Sequence, residues 1–272
     1  MSNASNPSEQ DLLTQELTQD GILRLTMNDQ KRRNALSEEM MSGLYKSINQ
    51  ASTNNAVRVI VIAANGSAFC SGHDLKQMSA RRNNADNGHQ YFTEVFSMCS
   101  ALMQLIINNP KPVIAEVSGV AAAAGCQLVA CCDLAVASES ARFVTPGVNI
   151  GLFCSTPMVA LSRNLSNKAA MEMLLTGEMV DSEKAEHIGL LNRVVEDSNL
   201  TESTMTIAQV IASKSTMTVK TGKQAFYRQK EMSLADAYEY ASSIMVENML
   251  KIDAKEGIDA FIEKRQPKWK DE

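Results

Sequence analysis

Residues 68–75 read AFCSGHDL, and residues 119–128 read GVAAAAGCQL. Each stretch follows an apolar, strand-like run: residues 57–64 before the first, residues 112–117 before the second. Each is a small-residue turn that leads into a helical pattern. Small residues let a backbone come close to a ligand. The first amides of a helix have no partner inside it and carry the positive end of its dipole. Two such turns side by side aim two backbone N–H groups at one point. That arrangement stabilises negative charge developing on a carbonyl oxygen, which is the chemistry of an oxyanion hole.

Outward from these turns, the strand–turn–helix rhythm repeats. Residues 12–27 read as two short strands around Asp20-Gly21. Ser37 is placed to cap a helix running to about residue 52, with Glu38 and Glu39 favouring its dipole. Residues 81–88, RRNNADNG, are polar and predict a flexible loop that could serve as an active-site flap. A helix over 90–108 is ended by Pro110 and Pro112. Strands at 113–117 and 133–137 flank an Ala-rich helix at 124–132, and this alternation predicts an α/β architecture. From about residue 199 the pattern is helical, with a start at SLAD, residues 233–236.

The 272 residues allow one large domain, and 44% hydrophobic with 21% charged residues is ordinary for a globular chain. A net charge of −5 argues against general binding to nucleic acid or to an anionic membrane. No apolar run approaches the ~18 residues a membrane span needs. Residues 1–10, MSNASNPSEQ, are set aside as a disordered tail or expression remnant. They lack a basic n-region, an apolar h-region and the Arg bias of a transit peptide, so a cytoplasmic location is expected. Cys70, Cys99, Cys126, Cys131, Cys132 and Cys154 form no CxxC pair, and no metal site is expected.

The two opening stretches resemble the AF-x-x-G-x-D-L and G-x-A-x-G-G-G-x-E-L signatures of the crotonase (enoyl-CoA hydratase/isomerase) superfamily. The resemblance extends from KRRNALS (31–37) to FIEKRQPKW (261–269). It implies a crotonase-like spiral of ββα units over 11–198 and a C-terminal helical oligomerisation region over 199–272. It implies a homotrimer or a dimer of trimers. It also implies an acyl-CoA thioester substrate, with coenzyme A entering as part of that substrate and no prosthetic group. By position, the oxyanion amides fall on His73 and Ala124. Coenzyme A contacts fall on Arg33, Asn34 and Ala35, on Ser71, Asp74, Leu75 and Lys76, and on Phe261 and Lys264, the last two often supplied by a neighbouring subunit.

The departures from the family pattern bear on the reaction. Hydratases of this kind position and activate water with two glutamates. Here Gln127 and Gly147 stand at those places. Gln127 can hold a water but cannot take its proton, and Gly147 can do neither. A general acid or base typically contributes ~10²–10⁴-fold, so standard syn-hydration is expected to be very slow. Ser155 occupies a position where a related isomerase subgroup places an acid. On the helix over 90–108, Val95, Cys99, Leu102 and Ile106 share the main apolar face, and Glu94 lies on a second stripe with Met98, Ala101 and Leu105, where it is either a buried base or the solvated end of that stripe. The expected function is thus that of a lyase or isomerase of fatty-acid type working mainly through its oxyanion hole. The alternative is a non-catalytic acyl-CoA-binding or regulatory protein on the same fold.

Overall fold

The computed structural model describes residues 12–272. The chain opens with an antiparallel hairpin, β1 (Leu13–Leu17) and β2 (Ile22–Met27), turned at Gly21 with φ +81°. Helix α1 (Glu38–Thr53) follows, and the Ser37 hydroxyl accepts a hydrogen bond from the Met40 N–H. Then come β3 (Val59–Ala64), β4 (Ala68–Cys70), α2 (Leu75–Arg81) and α3 (His89–Asn108). The next unit is β5 (Val113–Val117), β6 (Val120–Ala122) and α4 (Ala124–Cys131). It is followed by β7 (Leu134–Ser138), β8 (Arg142–Val144), α5 (Ser155–Asn164) and α6 (Asn167–Thr176). Two short strands, β9 (Val180–Asp181) and β10 (Arg193–Val195), enclose α7 (Ser182–His187). Four helices close the chain: α8 (Leu200–Ala212), α9 (Thr216–Gln229), α10 (Leu234–Met249) and α11 (Ile252–Ile262).

The units are wound so that their two strands go to different sheets. In β3/β4, β5/β6 and β7/β8 the first strand joins a six-stranded sheet in the order β1-β2-β3-β5-β7-β10 and the second a four-stranded sheet in the order β4-β6-β8-β9; β1 and β2 both belong to the larger sheet, and β9 joins the smaller one before β10 joins the larger. The β2–β3, β3–β5 and β5–β7 pairings are parallel, as are β4–β6 and β6–β8. Each turn of the chain thus advances both sheets by one strand, which makes the spiral of ββα units.

The run VIVIAA in β3 is continuously apolar because both faces of its sheet are covered. Ile60 and Ile62 point into the main core with Leu44, Leu102 and Phe143. Val59 and Val61 point the other way, into a second layer closed by Leu200, Ala208 and Ala212 of α8.

The polar segment after α2 is an exposed turn whose bonds are local to the start of α3. The Asp86 carboxylate accepts hydrogen bonds from the Gly88 and Gln90 N–H groups. Arg81 and Arg82 lie over the rings of Tyr91 and Phe92 at 5.0 and 5.6 Å. The expectation of a tail at residues 1–10 falls outside the described residues. No helix among the described residues is long and apolar enough to cross a membrane.

Candidate active site

Parallel pairing of β4 with β6, with Ala68 opposite Val120 and Cys70 opposite Ala121, sends both following turns out at the same end of the sheet. They meet there. A Cβ on Gly72 would stand 3.1 Å from the Ala122 carbonyl and 3.5 Å from the Ala124 nitrogen. Gly72 holds φ +91°, and Leu36 N–H donates to its carbonyl at 2.8 Å, which fixes the turn from the other side. Gly125 is pressed against β4, where a Cβ would lie 2.2 Å from the Cys70 carbonyl oxygen. Among the described residues neither the His73 nor the Ala124 N–H donates a backbone hydrogen bond, whereas the neighbouring Ala123 N–H is taken by the Val144 carbonyl at 2.8 Å. The Gly72 turn thus lies beside the start of α4 at Ala124.

The His73 ring stacks edge-on to Phe96, with centroids 5.4 Å apart, and neither ring nitrogen has a hydrogen-bond partner. Burial pushes its pKa below the ordinary histidine value, with the nearby Leu36 backbone opposing the shift. Burial thus favours the neutral ring.

Gln127 lies one helical turn beyond Ala124 on α4, so both side chains share a face. It is 5% exposed, and its Oε1 has no partner. Buried polar atoms are nearly always hydrogen-bonded, so an orphan acceptor at this place fits a donor brought by a ligand or water. Gly147 is buried in a 3₁₀ turn at Pro146–Ile150. A Cβ there would meet Cys154 Sγ at 3.0 Å, the Leu152 carbonyl at 3.1 Å and Cys154 N at 3.2 Å.

Two other candidates stand at the surface. Glu94 is exposed on α3 and accepts a hydrogen bond from Gln90 Nε2 at 2.9 Å. Its helix turns it toward solvent while Val95 and Cys99 take the core, so the burial expected of a base is absent. Ser155 opens α5, is exposed, and its hydroxyl reaches only the Phe153 carbonyl at 3.4 Å. No acidic or basic side chain activates it in the structure.

The expected coenzyme A contacts fall in two places. Ser71 N–H and Oγ donate to the Arg33 and Arg32 carbonyls, joining the 33–35 loop to the 71–76 turn. Arg33, Leu75 and Lys76 are exposed there, two cations and one apolar side chain, a set that fits a phosphorylated nucleotide. Asn34 and Asp74 do local work instead. Asn34 is fully buried in the left-handed region; its amide nitrogen donates to Asn65 and Ala68 carbonyls, and its oxygen accepts from Asp29 N–H. Asp74 caps α2 through the Lys76 and Gln77 N–H groups and faces Arg32 at 3.7 Å. Ala35 is buried beside them. Phe261, 85% exposed, and Lys264 stand elsewhere, on and just past α11, which packs against α10.

Sequence reasoning missed the cavity that opens beside Gln127. It holds about 900 Å³ and runs between α3, α4, α5, α9 and α10. Met103, Cys131, Val159 and Tyr227 form much of its wall, with Arg163 and Arg228 among its polar residues. The covering helix α9 is fastened by a buried group that was also missed. Lys223 Nζ donates to Asp133 Oδ2 at 2.6 Å and to the Ile106 and Lys111 carbonyls at 3.0 Å, and Tyr227 OH donates to Asp133 Oδ1 at 3.0 Å. Burial lowers the Lys223 pKa, and Asp133 offsets part of that. The spacing of Lys223 and Tyr227, four apart on one helix face, was the available signal. The buried thiols Cys70 and Cys126 are pushed up to about 12, so they stay protonated and unreactive. No group of His, Cys, Asp and Glu among the described residues could hold a metal ion.

The wound ββα fold, with its strands shared between two sheets, defines a class of protein, and comparison places the chain within it. Residues 17–272 match the enoyl-CoA hydratase/isomerase family, and the chain belongs to that family, within the crotonase superfamily. Among curated relatives it is similar to the human enoyl-CoA hydratase domain-containing protein 3, mitochondrial, at 49% identity over 93% of this chain and 82% of that one. The rat protein of the same name is 46% identical over 97% of this chain and 87% of that one. A solved enoyl-CoA hydratase of Mycobacterium smegmatis superposes with a TM-score of 0.91 at 46% identity, covering 96% of this chain and 99% of that chain. The relatives' names carry a mitochondrial location, which overturns the cytoplasmic one expected above. Cellular addresses are read by receptors from local segments, so the composition of residues 1–10 was weak ground for it.

Proposed function

We propose that this protein binds an acyl-CoA thioester and stabilises an enolate-like oxyanion with the backbone amides of His73 and Ala124. The meeting of the Gly72 turn with the Ala122–Ala124 turn carries this reading. Coenzyme A is held as part of the substrate at Arg33, Ser71, Leu75 and Lys76. Phe261 and Lys264 reach it from a neighbouring subunit of a trimer or of two stacked trimers. Exposed Leu234, Tyr238 and Ile262 on the last two helices, and Leu250 between them, support such an assembly.

The reaction is isomerisation, decarboxylation or thioester hydrolysis rather than hydration, because Gln127 and Gly147 supply no proton acceptor. The test is turnover of crotonyl-CoA, followed by loss of conjugated-enone absorbance, beside thermal stabilisation by coenzyme A. The expected result is stabilisation with hydration slowed at least ~10²-fold against a two-glutamate relative. Ordinary hydration would overturn the reaction reading, and absence of stabilisation would overturn the binding reading. Gln127→Glu is the variant of choice for restoring a base. Gly147→Glu has first to displace the Leu152 carbonyl and Cys154. That crowding at Gly147 also favours a second reading, a non-catalytic acyl-CoA-binding protein. Its signature is stabilisation by coenzyme A with no turnover of any thioester.

A further inference from the structure

The cavity beside Gln127 is unlike a plain hydrocarbon sleeve. Its inner wall is apolar, with Met103, Ile107, Ala130, Val159 and Ala160. Its far end is cationic, with Arg163, Arg228 and Lys230 against the single Glu231. The whole chain carries a net charge of −5, so this cluster runs against the background. We propose that the cavity takes the acyl chain of a thioester whose distal end bears a carboxylate, held by Arg228 with Arg163 and Lys230. This rests on the acyl-CoA reading above and adds the class of acyl group.

The order of residues along the walls supports it. On α5 the cavity is lined by Thr156, then Val159 and Ala160, then Arg163 and Asn164. Thr156 adjoins Cys154, which packs on Gly147, so this end belongs to the reaction site. Arg163 lies seven residues on, about 10 Å along the axis at ~1.5 Å per residue. A chain entering at Gln127 therefore crosses an apolar stretch before it meets the cations.

The cations are also poised for an anion. Arg228 makes no ion pair among the described residues. Its guanidinium lies 4.8 Å from the centroid of the Tyr240 ring, itself part of the cavity wall. Stacking on a ring orients the guanidinium plane and leaves its N–H edge free for a bidentate carboxylate. Lys230 Nζ donates to the Arg163 carbonyl at 3.0 Å, a neutral acceptor that leaves its charge unmatched. Arg163 faces Glu231 at 3.7 Å, and both side chains are largely exposed, so a better-placed carboxylate can compete for it. Arg228 and Lys230 are themselves exposed, so water serves them when the acyl chain ends in a methyl group and a carboxylate adds an ion pair of surface strength.

Calorimetric titration of the full-length protein with suberoyl-CoA, octanoyl-CoA and free coenzyme A tests this. The two thioesters differ only at the distal end, carboxylate against methyl. The expected result is that suberoyl-CoA binds severalfold more tightly than octanoyl-CoA at low salt. In an Arg228→Gln, Lys230→Gln double variant the ratio of the two affinities falls to about one. Binding of any thioester by that variant shows that it is folded. Equal affinities in the wild type, or tighter binding of octanoyl-CoA, overturn the proposal and leave the acyl-CoA reading standing. A preference that survives in the double variant overturns the assignment to these residues. If neither thioester nor coenzyme A binds the wild type, both readings fall together.

Discussion

Ala123 sits at φ 48° and ψ −114° where β6 turns into α4, a conformation that glycine takes readily and a residue with a Cβ does not. The turn keeps this geometry because the Val144 carbonyl holds the Ala123 N–H and Gly72 packs against it. Replacing the side chain relieves that strain. Ala123→Gly is expected to stabilise the protein by about 1 kcal/mol, read as a higher urea midpoint. Gly125→Ala works in the opposite sense, since its Cβ would lie 2.2 Å from the Cys70 carbonyl oxygen. It is expected to cost about 2–3 kcal/mol by the same measurement.

His73 adds a pH dependence at this scale. Its folded pKa lies below the ordinary 6.5 because burial disfavours the charged ring. The unfolded chain then binds the proton more readily, so this contribution to stability is full above 6.5 and is lost as pH falls from there toward the folded pKa. A His73→Asn variant is expected to lose less stability than the wild type in that window. An NMR titration of the ring protons with a midpoint at or above 6.5 would contradict the burial argument.

At the scale of elements, capping was the most legible feature. Ser37 and Ser233 cap α1 and α10, as a hydroxyl before a helical pattern with acidic residues in its first turn predicts. The same rule applied to Asp74 explains its carboxylate without a ligand. Periodicity also marked the buried face of α3, since Val95, Cys99, Leu102 and Ile106 take the core, while Glu94, on the second stripe, is left exposed.

The clasp on α9 was invisible to such rules. Its partners Lys223 and Asp133 are 90 residues apart, and their pairing exists only once α9 lies across the ends of α3 and α4. Lys223→Met leaves the half-buried Asp133 without its cation and is expected to cost about 2–3 kcal/mol. Tyr227→Phe removes one hydrogen bond and is expected to cost about 1 kcal/mol. Urea denaturation of the two variants checks that order. The reverse ranking would mean that the hydroxyl, not the ion pair, fastens the helix.

At the scale of the whole molecule, the final residues act as a strap. The Asp271 carboxylate accepts from Thr216 N–H at 2.6 Å and from Arg58 at 3.0 Å, while Trp269 Nε1 donates to the Ser213 carbonyl at 2.8 Å. Asp253 on α11 accepts from Lys270 and Asp271 N–H groups. These bonds tie α9 and α11 to the end of the six-stranded sheet. Removing residues 267–272 is expected to speed amide exchange in α11 and in the first turn of α9, with α4 and β3 unchanged. Uniform exchange across all four would mean that the strap carries no local stability.

The sequence by itself determined the local pieces: apolar runs of strand length, the caps and the small-residue turns. These follow from side-chain size, charge and φ/ψ preference, which act between near neighbours. The family likeness supplied the winding, because a repeated strand–turn–helix rhythm does not say which strand pairs with which. Only the tertiary structure decided the rest. Parallel pairing of β4 with β6 set two distant turns side by side, and α9 and α10 join α3, α4 and α5 around one cavity. Those placements depend on contacts between residues tens to a hundred positions apart, and no local preference encodes them.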